Sequence, residues 1–264
     1  MKKLWNRLLN VLLRFVWVCS SFKRKAILIE RYPLIGSLDA DSSILIGVGS
    51  SQDLRRLKAA ASEPYTVLWI REDMRAGDVL YDIGASVGAY SFIAARAHPG
   101  VTVYAFEPSA ASFSSLLANV ERNRLGLQVI PLSFVLAAKT GFTEFGYSSL
   151  ESGATKHPGI LGKGTAIAHQ MVYVWALDDF VNTAKLLTPT HIKIDVDGVE
   201  LGVLAGMRKT LKLPSLRLIQ VEASQGVMGT FATVGEILSR AGFRLVETNR
   251  AHNIRATDYL FRRS

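Results

Sequence analysis

The 264-residue sequence predicts an α/β fold, a mostly parallel sheet with helices on both faces. Three observations carry that expectation. Continuous apolar runs of strand length alternate with helix-length segments, as strands covered on both faces by crossover helices must. Glycine and proline punctuate the changes between them. Four carboxylates, Asp82, Glu107, Asp195 and Glu222, fall at the ends of predicted strands, where open parallel sheets bind ligands.

Composition sets outer bounds. With 49% hydrophobic and 20% charged residues the chain can build a core, which excludes a disordered chain. The single cysteine, Cys19, excludes an internal disulfide framework and a multi-thiolate zinc site, and points to a reducing, cytoplasmic setting. Lys and Arg number 31 against 22 Asp and Glu, a net charge of +9. Seven of those cations (Lys2, Lys3, Arg7, Arg14, Lys23, Arg24 and Lys25) lie in residues 1–25, which hold no acid. The rest of the chain is close to neutral and lacks a phosphate-binding footprint, which argues against nucleic acid as a partner.

Residues 1–25 read as a basic amphipathic helical arm. No apolar run in it reaches the ~18 residues of a membrane span, and no small-residue cleavage site follows it. Leu4, Leu8, Val11, Leu12, Phe15, Val18, Cys19 and Phe22 share one helical face, opposite Lys3, Arg7, Asn10 and Arg14. Trp5 and Trp17 flank that face, a pattern suited to lying in the inner face of a membrane; packing against protein is the alternative. Residues 26–62 form an N-terminal extension with a short strand at Ile44-Leu45-Ile46 and a helix from Leu54 to Ala61. The main domain is expected over residues 63–264.

Within it, Val79–Ile83 is the first strong strand and Tyr90–Ala97 a helix stopped by His98-Pro99-Gly100. Val101–Phe106 is a strand, Ser109 caps a helix to about Arg124, and Leu127–Leu132 is a strand. Phe142–Tyr147 alternates like an exposed strand, and the glycine-rich residues 150–170 read as a mobile loop. Val172–Ala176 is a strand, Leu177–Leu187 a helix, and Ile192–Ile194 a strand leading to Asp195. A helix follows from Glu200 to Leu211, then strand Leu216–Val221, helix Val234–Ala241, and final strands at Phe243–Val246 and Tyr259–Phe261.

The turn Asp82-Ile83-Gly84-Ala85-Ser86-Val87-Gly88 joins a strand to a helix, and its glycines allow close approach of a ligand. It lacks the G-x-G-x-x-G spacing of a dinucleotide site. Glu107, 23 positions after Gly84 at the next strand end, is placed to accept hydrogen bonds from ribose hydroxyls. Asp82 would repel a pyrophosphate but tolerates a cationic ligand. A nucleoside bearing a sulfonium, S-adenosylmethionine, fits these charges.

Tyr81-Asp82-Ile83-Gly84-Ala85-Ser86-Val87-Gly88-Ala89-Tyr90-Ser91 resembles the first motif of the FkbM-type S-adenosylmethionine-dependent methyltransferases. Further elements match in the same order: Ala105-Phe106-Glu107-Pro108 with Leu116 and Asn119, then Leu177-Asp178-Asp179-Phe180. Ile192-Lys193-Ile194-Asp195-Val196-Asp197-Gly198-Val199-Glu200 follows, continuing into Val203-Leu204-Ala205-Gly206. The similarity covers roughly residues 63–247. Ser86 stands where the family usually has Asn, and Asp197 where Glu is usual. The resemblance implies a class I methyltransferase (Rossmann-like) fold, a seven-stranded sheet whose last strand is antiparallel. It also implies O-methyl transfer to a hydroxyl, of a sugar, glycolipid or secondary metabolite. Asp82, Gly84, Ala85, Ser86, Gly88, Tyr90, Ser91, Glu107, Pro108 and Asp195 are the expected cofactor-binding residues.

Methyl transfer to a hydroxyl calls for alignment and for a group that takes the proton. Asp195 is the first candidate, with His157 and His169 of the mobile loop as rivals; His191 reads as structural. A divalent cation between Asp195 and Glu222 is a possible but not favoured alternative. Other readings are a non-catalytic membrane-associated scaffold, a nucleic-acid methyltransferase or a dehydrogenase. The sequence predicts that the full chain floats with anionic vesicles and that a chain lacking residues 1–25 does not; equal flotation in a sucrose gradient overturns the membrane role of the arm.

Overall fold

A computed structural model describes residues 34–154, 159–160, 166–196, 198–224, 230–250 and 256–264. The arm at residues 1–25, His157 and Asp197 lie outside the described residues. Residues 36–264 form one compact unit. Among the described residues no helix is long and apolar enough to cross a membrane.

The unit opens with a two-stranded sheet of β1 (Ile35–Ser37) and β2 (Leu45–Gly47), then three helices, α1 (Ser51–Arg56), α2 (Ala59–Ser62) and α3 (Pro64–Asp73). The predicted helix over 54–61 is therefore broken at Leu57-Lys58. Helix α3 has Pro64 in its first turn, where a missing N–H costs nothing. The sequence reading had assigned no element there.

The main sheet follows: β3 (Val79–Ile83), α4 (Ala89–Ala97), β4 (Thr102–Phe106), α5 (Ala110–Arg122) and β5 (Val129–Leu132). A second sheet interrupts the alternation, formed by β6 (Val135–Leu136), β7 (Gly141–Tyr147), β8 (Gly159–Ile160) and β9 (Ala168–Trp175) in the order β6-β9-β7-β8. The chain then returns through α6 (Leu177–Ala184), β10 (His191–Ile194), α7 (Glu200–Ala205), β11 (Leu218–Ser224), α8 (Thr230–Arg240), β12 (Phe243–Arg250) and β13 (Ala256–Arg263). The main sheet has the order β12-β13-β11-β10-β3-β4-β5. Strands β5, β4, β3, β10 and β11 are parallel and β13 is antiparallel to both neighbours. This is the seven-stranded arrangement with an antiparallel last strand.

Every residue of β3 and of β10 is buried, and successive side chains serve opposite faces. Leu80, Val103 and Ala105 pack with α3, α4 and α5; Tyr81, Ile83, Tyr104, Phe106, Ile192 and Ile194 pack with α6, α7 and α8. Two expectations are corrected here. The loop expected over 150–170 ends earlier, because strand β9 begins at Ala168 and pairs with β7 from Gly141↔Val174 to Tyr147↔Ala168. The helix expected from Glu200 to Leu211 stops at Ala205. Gly206 packs so tightly that a Cβ there would lie 2.1 Å from the Ala137 carbonyl oxygen, and a short 3₁₀ turn at Thr210–Lys212 follows.

Asn119 of α5 and Asn123, which caps the end of that helix, fasten β2 to the domain. The Asn123 side chain accepts from Leu45 N (2.8 Å) and donates to Leu45 O (2.7 Å). Asn119 accepts from Gly47 N (2.9 Å) and donates to Val87 O (3.1 Å), so it also holds the glycine turn after β3. Asn119→Ala removes two buried partners at once and is expected to cost about 2–4 kcal/mol, read as a lower urea midpoint with an unchanged slope.

Candidate active site

The site lies where the strand order reverses. From β3 the chain runs outward to β4 and β5, and β10 then returns on the other side of β3, so a crevice opens beyond the ends of β3 and β10. A cleft of about 360 Å³ lies there, lined by the Gly84–Val87 turn, Tyr90, Asp195 and Glu222. Its other residues come from α1 (Gln52, Arg55 and Arg56), from α2 and the Glu63 cap of α3, and from Ala89 of α4 and Gly153 beyond β7.

Gly84 makes the crevice possible. Its φ is +91°, and a Cβ would fall 2.0 Å from the Asp195 carbonyl oxygen. Gly84 and Ala85 both donate their N–H to Phe106 O at 2.9 Å, tying the turn to β4. Gly88 approaches Phe92 and Leu116 so closely that a Cβ would meet them at 2.5 and 2.6 Å. Ser86 adopts φ +52°, a left-handed conformation that Asn tolerates better than Ser.

The Ser86 N–H donates to Glu107 Oε2 and the Ser109 N–H to Oε1, both at 2.8 Å. Ser109 occupies the N-cap position of α5, but its side chain makes no capping bond; its N–H serves Glu107 instead. Burial, the largest influence, pushes the Glu107 carboxyl up to about 7, against the pull of the two N–H donors and the Arg56 charge. Pro108 follows Glu107 at the start of that turn. Ser91 Oγ donates to Asp82 Oδ2 at 2.6 Å, while Asp82 Oδ1 has no hydrogen-bond partner among the described atoms. Burial raises the Asp82 carboxyl, opposed by the Lys193 charge. Asp82 and Ser91 thus lie beneath the turn rather than along the cleft.

Lys193 is the centre of the acidic cluster, and the sequence reading gave it no role. It is 1% exposed within β10. Its ammonium donates to Asp195 Oδ2 at 2.8 Å, lies 3.7 Å from Glu63 Oε2 and sits 4.7 Å from the Tyr90 ring centroid. Burial would discharge it, but the charges of Asp195, Glu63 and Asp82 hold its pKa above the usual lysine range. Burial likewise works to raise Asp195, whose side chain keeps about 21% exposure. The Lys193 charge and hydrogen bonds from Glu222 and Lys193 prevail and hold Asp195 well below the carboxylate range. Glu222 is pushed up to about 11, chiefly by the charge of Asp195 and the hydrogen bond to it, then by burial.

Behind the cluster, Thr66 Oγ1 donates to Glu63 Oε2 at 2.9 Å and accepts from Gln220 Nε2 at 2.8 Å. Gln220 also donates to Asp258 Oδ1 at 2.8 Å. Burial, then the charge of Glu63, pushes Asp258 up to about 7. Sequence reasoning passed over Lys193, Glu63 and Asp258. The available signal was a lysine between two isoleucines in a short buried strand.

The remaining candidates separate from the cleft. His169 lies on β9, not on a loop; its Nδ1 pairs with Glu144 of β7, both side chains are about half exposed, and neither lines the cleft. His191 is buried, stacks on Trp69 at 5.9 Å, and burial lowers it to about 4. Asp178 accepts hydrogen bonds from Lys209 N and Thr210 N, which anchors the turn after α7. Asp195 and Glu222 do come together, but as a hydrogen-bonded pair beside an ammonium; among the described residues no group of three or more potential metal ligands occurs.

The family profile for the methyltransferase FkbM domain matches residues 82–245, more than half of the chain. The chain belongs to the FkbM methyltransferase family. Two curated methyltransferases align with it. The hexuronic acid methyltransferase AglP of Haloferax volcanii is 27% identical over 176 residues, 67% of this chain and 69% of AglP. The 31-O-demethyl-FK506 methyltransferase FkbM of Streptomyces tacrolimicus is 30% identical over 200 residues, 66% of this chain and 75% of that protein. A solved methyltransferase FkbM from Methylobacillus flagellatus shares the fold with a TM-score of 0.56 at 15% identity, covering 81% of this chain and 56% of that one.

A methyltransferase of this fold needs a donor, and the residues present fit S-adenosylmethionine. The side-chain-free Gly84 and the twisted Ser86 leave room at the sheet edge. Glu107 takes one N–H donor on each carboxylate oxygen, which leaves a further lone pair on each, although its side chain is buried and is not among the cleft-lining residues. The acidic floor suits a cationic sulphur.

Replacing Lys193 with Met strands several buried carboxylates without their counter-charge and is expected to cost about 3–5 kcal/mol. The loss is larger at pH 8 than at pH 5, because protonation relieves the acids; urea melts at both pH values check it.

Proposed function

We propose that the chain transfers a methyl group from S-adenosylmethionine to a hydroxyl oxygen of a sugar or another polyhydroxylated small molecule, glycolipids included. The observation that carries this reading is the cleft beyond the strand ends, where Asp195, held by the Lys193 ammonium, lies with Glu222 and Glu63 beside the Gly84–Val87 turn. The 31-O of one relative's name and the hexuronic acid of the other's support oxygen as the acceptor atom.

S-adenosylmethionine supplies an electrophilic methyl on a cationic sulphur, which keeps the bonding pair and departs as a neutral thioether. The chain's task is alignment, because in-line approach removes much of the barrier. Asp195, firmly ionised, accepts a hydrogen bond from the acceptor hydroxyl and turns its lone pair toward the methyl carbon. A low-pKa carboxylate is a weak base toward an alcohol. As the O–C bond forms, however, the hydroxyl becomes strongly acidic, and its proton can pass to the Asp195 carboxylate late in the step. Glu222 keeps its own proton and fixes the Asp195 carboxylate in place.

Glu107 must be ionised to accept hydrogen bonds from two ribose hydroxyls. Its folded pKa lies above the ordinary value, so its protonated form favours the fold below about pH 4.5, and that contribution disappears as pH rises through 7. Donor binding runs the opposite way. The affinity for S-adenosylhomocysteine is expected to fall about tenfold per pH unit below 7, and in Glu107→Gln to be weak and independent of pH; calorimetry from pH 5.5 to 8 reads both.

Transfer of labelled methyl into lipid extracts and soluble glycans tests the reaction itself. With saturating donor, Asp195→Asn is expected to slow transfer by about 10²–10⁴-fold; undiminished transfer removes Asp195 from this role.

A further inference from the structure

We propose that Arg56, seconded by Arg55, holds the carboxylate at the amino-acid end of the donor, so that α1 completes the donor site. This rests on S-adenosylmethionine being the donor. That molecule carries three charges: a sulfonium, an ammonium and a carboxylate. Glu63, Asp195 and Glu222 line the cleft and match the two cations. The same acids repel the carboxylate, so a cation must offset them. Lys193 is spent on Asp195 and Glu63, is 1% exposed and does not line the cleft. Arg55 and Arg56 are the described cations that do.

Neither arginine side chain makes an ion pair or hydrogen bond with a described residue, although both stand over an acidic floor. Arg56 is half-buried and lines the cleft together with Asp195, Glu222 and the Gly84–Val87 turn. A guanidinium fork matches a carboxylate in two parallel hydrogen bonds.

The helix that carries the arginines is fixed in place. Ser50 and Asp53 form a reciprocal cap at its start, with Ser50 Oγ accepting from Gln52 N and Asp53 N at 3.1 Å. Ser50 Oγ also donates to Ser152 O at 2.7 Å, and Gly153 N donates to Ser112 Oγ at 3.1 Å. The segment after β7 therefore clamps α1 to the start of α5. Helix α1 lies before residue 82, upstream of the matched family segment.

Calorimetry with the full chain compares two ligands, S-adenosylhomocysteine and 5′-methylthioadenosine, which share the nucleoside and thioether but differ in the amino-acid end. Arg56→Gln is expected to weaken S-adenosylhomocysteine by about 10–100-fold and to leave 5′-methylthioadenosine within about threefold. That unchanged second affinity shows that the variant is folded and its nucleoside site intact. Unchanged S-adenosylhomocysteine binding, or an equal loss for both ligands, overturns the assignment and gives Arg56 to the acceptor or to the fold. A wild-type chain that binds neither ligand removes the donor reading itself, and this assignment with it.

Discussion

A lysine ammonium buried in the middle of a parallel sheet governs this structure. Charge in such a place is tolerated only when paired and hydrogen-bonded, and here Asp195, Glu63 and the Tyr90 ring provide that pairing. The dependence is mutual. Without the ammonium, the carboxylates that converge on the strand ends could not all persist near neutrality. With it, Asp195 is held well below the carboxylate range, while the charge of Asp195 pushes the neighbouring Glu222 up. A floor of that kind attracts a cationic sulphur without becoming a strong base.

The backbone adds what the side chains cannot. Gly84 allows β3 and β10 to end almost in contact, and Ser86 turns its N–H toward Glu107. The two carboxylates therefore differ in kind. Glu107 takes two neutral N–H donors and burial pushes it up to about 7, whereas the full positive charge beside Asp195 holds that carboxyl well below the usual range.

Elements outside the repeating strand–helix pattern close the site. Helices α1 and α2 line it from residues before β3, and the excursion through β7 and β9 returns Ser152 and Gly153 against α1. These parts were hard to read. In α3, Tyr65 and Leu68 stand exposed among the buried Thr66, Val67, Trp69 and Ile70, so the helical period is blurred. Strand β9 has three successive exposed residues, His169 to Met171. Its strand character comes from pairing with β7, not from its own alternation, and His169 accordingly pairs with Glu144 across the two strands.

The sequence by itself determined the order of the main strands, the glycine turn, and the placing of Asp82, Glu107, Asp195 and Glu222 near strand ends. Each of those follows from a local rule: buried parallel strands are apolar throughout, tight turns need glycine, and polar residues collect where strands stop. Only the tertiary structure decided which of the four line the cleft, because that depends on neighbours distant in the chain. Asp82 is turned under the turn by Ser91, Glu107 is pinned by Ser86 and Ser109, and Asp195 is joined to Glu222 from a strand 27 residues on. Lys193 illustrates the reason. Along the chain it is one polar residue in an apolar strand, and its meaning comes from Glu63, which lies 130 positions earlier. A buried charge is defined by its partners, and partners are brought together only by the fold.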